Sequence, residues 1–240
     1  EYPVTIDPLS GSPDWIVTTD QLSSRFGDDC VSCGDINGDG FDDVVISADC
    51  YEPYPAVFIY YGSQDGPSTN ADKILFGDRQ GYGVRVCCKG DYNDDGYNDL
   101  VIGDPWNIGN GRVLVHYGSA TGVSDTPDWI GTSPGFVWEY GFTVSTAGDV
   151  NGDGYSDLIV GVYNQLVDSH YVNGYVYLGS INGLSGNNPA WTTSTPSDII
   201  YYGFSFCISD AGDINNDGYD DVISAANGHG YVPGHVFIYF

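Results

Sequence analysis

The 240 residues carry 33 acidic side chains against six lysines and arginines, a formal net charge of −27; a surface this acidic repels nucleic acid and anionic lipid and excludes both as partners. No apolar run approaches the roughly 20 residues that a membrane helix needs, so membrane insertion through a helix is excluded as well. With 34 glycines, 20 tyrosines and no methionine, the composition points to many short strands joined by tight turns, in a chain long enough for one all-β domain. The sequence opens on Glu1 rather than methionine, so a processed or more distant natural N-terminus is expected.

In chain order, the first strand signal is Ser12-Pro-Asp-Trp-Ile16, followed by the aromatic-glycine pair Phe26-Gly27. The acidic loop Gly34-Asp-Ile-Asn-Gly-Asp-Gly-Phe-Asp-Asp43 comes next. After it stands Val44-Val-Ile-Ser47, apolar on both faces as in a strand sandwiched between neighbouring sheets. An aromatic-rich strand, Val57–Gly62, and a weaker fourth one around Lys73–Leu75 complete the unit.

This unit then recurs. The pair returns as Tyr82-Gly83, Tyr140-Gly141 and, slightly displaced, Tyr202-Gly203; the loop returns as Gly90–Asp99, Gly148–Asp157 and Gly212–Asp221. The leading aspartates Asp35, Asp91, Asp149 and Asp213 fall at intervals of 56, 58 and 64 residues. Leu100-Val-Ile-Gly103, Leu158-Ile-Val-Gly161 and Val222-Ile-Ser-Ala225 repeat the second strand, and Val113–Gly118, Tyr175–Gly179 and Val236–Phe240 the third. Trp129 and Trp191 mark the fourth. Each unit is a four-stranded antiparallel sheet, so the sequence predicts a single all-β domain over 1–240, a β-propeller of four blades with repeats at about 26–81, 82–139, 140–201 and 202–240.

The last repeat stops at its third strand, whereas Ser12–Ile16 resembles Thr126-Pro-Asp-Trp-Ile130, with Trp15 and Trp129 each 20 residues ahead of the next leading aspartate. Residues 1–25 are therefore expected to supply an arm and a closing strand that completes the last blade, in cis or in trans, and so removes an open sheet edge.

Each loop offers side-chain oxygens at positions 1, 3, 5 and 9 and a carbonyl at position 7. In order these are Asp35, Asn37, Asp39, Phe41 and Asp43; Asp91, Asn93, Asp95, Tyr97 and Asp99; Asp149, Asn151, Asp153, Tyr155 and Asp157; and Asp213, Asn215, Asp217, Tyr219 and Asp221. Glycine at position 6 allows a sharp turn. An all-oxygen shell of three carboxylates, an amide and a carbonyl suits Ca2+, so four calcium sites are expected. Unlike an EF-hand loop there is no glutamate at position 12, and strands rather than helices flank it. The metal's expected role is structural, since three carboxylates packed closely repel one another.

These residues resemble the FG-GAP repeat of the integrin α-subunit propeller and its bacterial relatives. Phe26-Gly27 corresponds to the FG element, the DxNxDGxxD loops to the calcium sites, and Gly103-Asp104-Pro105 comes close to the GAP element. The resemblance runs from about Trp15 to Phe240 and implies a calcium-binding propeller serving adhesion, ligand binding or scaffolding outside the cell. Integrin propellers have seven blades and this sequence carries four repeats; a compact ring, an open arc and a part of a larger assembly are all compatible with that number.

Six cysteines permit up to three disulfides. Cys30, Cys33, Cys87, Cys88 and Cys207 precede acidic loops and Cys50 follows one; Cys30–Cys33 is the one CxxC and lacks the mates of a zinc site. None of His116, His170, His229 and His235 belongs to a nucleophile motif, and a non-enzymatic protein is expected; a polysaccharide-active carboxylate pair would carry no sequence signature. The loops after the second strands are rich in aromatics: Tyr51–Pro55, Pro105–Gly109, Tyr163–Leu166 with Tyr171, and Asn227–Tyr231. They are expected on one face, opposite the acidic loops, either covering blade edges or recognising protein or carbohydrate. Two functions follow, an extracellular binding or adhesion module and a subunit of a self-assembling filament or surface layer, the latter with Glu1–Asp7 as an exchanged arm.

Overall fold

The computed structural model describes residues 12–108, 110–134, 139–167, 170–194, 205–226 and 233–240. The aromatic-glycine pair at Tyr202-Gly203, the arm Glu1–Asp7 and the Asn227–Tyr231 loop lie outside these residues.

Among the described residues all regular structure is strand. The first sheet contains β1 (Cys30–Gly34), β2 (Asp43–Ala48), β3 (Ala56–Tyr60) and β4 (Lys73–Phe76). The second contains β5 (Arg85–Gly90), β6 (Asp99–Asp104), β7 (Arg112–His116) and β8 (Trp129–Thr132). The third has β9 (Thr143–Gly148), β10 (Asp157–Val167), β11 (His170–Tyr177) and β12 (Trp191–Ser194), and the fourth β13 (Ser205–Gly212), β14 (Asp221–Ala226) and β15 (His235–Tyr239). In every sheet the strands pair antiparallel in sequence order. Three of the sheets are the expected four-stranded up-and-down blade and the fourth has three strands among the described residues; together they are the four blades of the propeller.

The strands form where apolar residues alternate between two buried faces. In β2, Val45 looks toward the second blade and packs with Val57, Ile59, Ile102 and Leu114. Val101 and Val115 meet Val160 and Tyr175 between the second and third blades. Ile159 and Val176 meet Ile208 and Val222 between the third and fourth. The innermost strands touch in series, β1 on β5, β5 on β9 and β9 on β13. Each fully buried aliphatic side chain contributes roughly 1.5–3 kcal/mol, so the packing between blades is a large stabilising term. The aromatic-glycine pairs set the entry to each sheet: Gly27, Gly83 and Gly141 adopt φ of 88°, 80° and 88°. Their N–H groups donate to Ser47, Gly103 and Gly161 carbonyls, and Tyr82 and Tyr140 are buried against the preceding blade.

Fourth-strand tryptophans reach across to the following blade. Trp129 stands edge-on to Tyr177 and Trp191 to Tyr239, both at 5.2 Å. Trp15 does the same to Tyr60 of the first blade, at 5.2 Å, and its indole N–H donates to the Ser68 carbonyl. The N-terminal segment therefore occupies the far-side place of a closing strand. Its pairing with β15 is not formed among the described residues, where the fourth sheet has three strands. Of the six cysteines, Cys33 and Cys88 form a disulfide joining β1 to β5, so the CxxC is not a unit: Cys30 remains a free, exposed thiol.

Candidate metal centres and the opposite loop face

The four acidic loops fold alike. At position 1, Asp35 Oδ1 accepts from the N–H of Gly38 and Asp39 and Oδ2 from Gly40; Asp149 repeats all three bonds with Gly152, Asp153 and Gly154. Asp91 and Asp213 hold the equivalents at positions 5 and 6. The asparagine at position 3 accepts from the N–H of position 5, at 3.0 Å from Asn37 and 2.8 Å from Asn215. The aspartate at position 5 accepts from the N–H of position 7, at 3.0 Å in Asp39 and 3.1 Å in Asp153. The chain thus winds around its own oxygens. The winding needs a left-handed residue at position 6, where Gly40, Gly96, Gly154 and Gly218 have φ of 89°, 91°, 92° and 96°.

Position 9 behaves differently. Asp43, Asp99 and Asp157 are fully buried. Each clasps the N–H of position 2 and the N–H of the glycine after the third strand: Ile36 and Gly62, Tyr92 and Gly118, Val150 and Gly179. Asp221 keeps the first of these bonds, to Ile214, while its Oδ1 has no partner. Burial, added to by neighbouring aspartates, pushes Asp99 up to about 8 and Asp157 up to about 6 against the pull of the two N–H donors, and raises Asp43 likewise.

Among the described residues no three acidic, histidine or cysteine side chains close around a common point as the loops stand. The donor set nevertheless fits a hard cation. Oxygen is the one ligating element, each carboxylate has lone pairs beyond those used by the amides, and three or more like charges share one turn without a basic neighbour in the loop. The residues that would hold the ion are those at positions 1, 3, 5 and 9 with the position-7 carbonyl. Bound there, a divalent cation would supply charge neutralisation.

The loops also join blade to blade. Asn98 at position 8 donates its side-chain N–H to Cys33 O at 2.8 Å. Ser156 N donates to Asp91 O, and Asp220 both donates to Asp149 O and accepts from Asp149 N. The hairpins before the fourth strands do likewise: Ser119 N reaches Ile36 O and Ser180 N reaches Tyr92 O. Sequence reasoning missed this role of position 8, because partners 65 to 71 residues away leave no local pattern.

At the other end of the second strands lie the aromatic loops. Tyr54, Trp106 and Ile108 are exposed, as a recognition face would need. Tyr51 instead packs on Phe58 at 5.3 Å, so part of the aromatic content covers a blade edge. Of the third such segment, residues 163–166 continue β10 and Tyr171 lies on β11, a paired hairpin rather than a loop. Asp104 of the GAP-like element is buried and accepts from Arg112 Nε at 2.7 Å and Asn107 Nδ2 at 3.0 Å, a bracing role. His116 is buried within β7, its Nδ1 3.0 Å from Ser124 O, and burial lowers its pKa. It occupies the packing position that Tyr60 and Tyr177 hold in the first and third blades.

The pattern of an FG-GAP-like repeat matches residues 35–102, and that of an FG-GAP repeat matches 140–178. Integrin alpha-IIb of Mus musculus is 29% identical over 194 residues, covering 67% of this chain and 19% of that protein. Human integrin alpha-6 is 35% identical over 158 residues, 62% of this chain and 13% of the relative. Integrin alpha pat-2 of Caenorhabditis elegans is 30% identical over 172 residues, 60% of this chain and 14% of the relative. The chain thus spans less than a fifth of the length of these relatives.

Proposed function

Starting from a chain that belongs to the FG-GAP repeat family, we propose that it is a calcium-stabilised extracellular β-propeller acting as a non-enzymatic adhesion or binding module. The loops after the second strands present its partner-binding face, and the partner is a protein or a carbohydrate. One observation carries this reading: exposed Tyr54, Trp106 and Ile108 stand on the loop face opposite the four acidic loops, on blades held rigid by continuous apolar packing. Aromatic side chains on a rigid frame bring large contact area at low entropic cost. The similarity to integrin alpha subunits supports an extracellular, adhesion-type role.

Calcium at the four loops would act at a distance from that face. Because the loops link adjacent blades through Asn98, Ser156 and Asp220, an ion that tightens a loop also tightens an interface. Binding to the folded state alone then adds stability by mass action.

The test is binding of the purified chain, with calcium and with EGTA, to arrays of extracellular-matrix proteins and glycans, beside the variants Trp106→Ala and Tyr54→Ser. Signal that disappears in both variants while thermal stability is kept is the expected result. Equal binding by wild type and variants would refute the assigned face, and a melting temperature unmoved by EGTA would refute calcium stabilisation.

A further inference from the structure

Every blade has one face toward the blade before it and one toward the blade after it, and the same interface is built three times within the chain. On the following-side face, Val45, Val57 and Ile59 of the first blade are completely buried by the second. Their counterparts in the second blade, Val101, Val113 and Val115, are equally buried by the third. In the fourth blade the same positions are Ile223, Val236 and Ile238, by the pairing of Ile223 with Ile238 and Ala225 with Val236. There Val236 is 64% and Ile238 42% exposed. The complementary preceding-side face of the first blade is built from Ile46 and Phe58, each 6% exposed and covered by Trp15, Val17 and Phe26 of the same chain. It already carries Trp15 in the place that Trp129 and Trp191 take on the third and fourth blades. Among the described residues no packing like that of β1 on β5 joins β13 to β1. Among the described residues the fourth blade's following-side face is therefore open, whereas the first blade's preceding-side face is covered by the chain's own segment around Trp15, Val17 and Phe26; the two faces are complementary halves of the repeated interface.

The innermost strands add an independent mark. Cys207 pairs with Ala225, the register position that Asp29 holds opposite Ser47 in the first blade. Cys30 pairs with Ile46, the register position of Val86 opposite Ile102 in the second. Inside the chain these two positions are neighbours: Val86 N donates to Asp29 Oδ2 at 3.0 Å. The same two positions in the third and fourth blades, Thr143 and Ile208, meet over Gly161. At both open ends the position is occupied by an exposed free thiol.

We propose that the following-side face of the fourth blade packs on the first blade of a second copy, head to tail, with Cys207 beside the partner's Cys30. The segment around Trp15 of the second copy then lies along β15 as β8 lies along β7. Such a heterologous contact either closes a ring or extends a chain of copies, and it stands apart from any ligand on the aromatic face.

The experiment is light scattering on a sizing column with the purified 240-residue chain in calcium, together with oxidation by glutathione disulfide. That oxidant takes two electrons and two protons from a thiol pair, leaving a disulfide and two glutathione molecules. Expected are a mass of at least two copies and a Cys30–Cys207 cross-linked peptide that joins isotope-labelled to unlabelled chains. A mixture of the C30S and C207S variants should give a singly linked dimer, which neither forms alone. Ile238→Asp, on an exposed position that leaves the fold intact by circular dichroism, should return the single-copy mass and lower the cross-link yield at least tenfold. A single-copy mass throughout, a Cys30–Cys207 link confined to one chain, or association indifferent to Ile238→Asp overturns the proposal.

Discussion

Truncation of Leu184 to alanine tests the principle that blades hold one another. Leu184 lies in the hairpin between β11 and β12, is 5% exposed, and plugs the cleft between the second and third blades. Its N–H donates to Tyr117 Oη of the second blade at 2.7 Å, and burial holds the Tyr117 hydroxyl protonated, pushed up to about 12. The backbone bond survives the substitution, so the loss is the side chain's transfer energy and the cavity left behind, about 2–5 kcal/mol for a buried leucine. In a domain of this size that is a fall of about 5–15 °C in melting temperature. Urea unfolding followed by circular dichroism in EGTA, so that metal does not mask the effect, gives the free energy directly. Leu22→Ala at a 95% exposed position is the control and is expected to change stability by less than about 0.5 kcal/mol. A loss below about 1 kcal/mol for Leu184→Ala would mean that the hairpin does not wedge the blades together, and the account of inter-blade packing would fail with it.

Reducing the Cys33–Cys88 disulfide, whose sequence separation is 55, should cost about 4 kcal/mol by loop-closure entropy; urea midpoints of a Cys33→Ser, Cys88→Ser double variant against oxidised wild type measure it. Gly154→Ala, at φ +92° with open space around the new Cβ, should cost about 1 kcal/mol from backbone strain alone. Gly152→Ala should cost more, since its Cβ would stand 2.7 Å from the Tyr219 ring; paired thermal melts rank the two. Because burial holds the His116 pKa below its unfolded value, the unfolded chain binds the extra proton first. His116 therefore withdraws stability as pH falls from about 6.5 toward its folded pKa, at up to about 1.4 kcal/mol per pH unit. Replacing it with tyrosine, as in the neighbouring blades, should flatten that part of the pH–stability curve relative to wild type, and an unchanged slope would contradict a buried neutral imidazole.

The repeat was legible because the acidic loop demands particular residues at fixed offsets: Asp at 1, glycine at 6 and Asp at 9 are local requirements that recur four times in 240 residues. The two-faced second strands were legible for the same reason, since Val44–Ser47 and Leu100–Gly103 are apolar without alternation. The roles inside the loop were less so. Sequence treats Asp43 and Asp39 as equivalent oxygen donors, whereas the fold buries Asp43 as a clasp on Ile36 and Gly62 and leaves Asp39 exposed. Gly62 lies 19 residues from Asp43, beyond any local signal. Likewise the aromatic loops read alike in one dimension, yet Tyr51 is spent on Phe58 while Trp106 is exposed.

Blade number, strand order, the acidic loops and their oxygen donors follow from the sequence by itself, because each rests on the local geometry of turns and on alternation along a strand. Pairing Cys33 with Cys88, assigning Val45 to one neighbour and Ile46 to the other, and setting Trp15 on Tyr60 were decided only by the tertiary structure. Those contacts join residues about 45–60 positions apart through stacked sheets, and the stacking is set by the twist and close packing of whole blades rather than by any one segment.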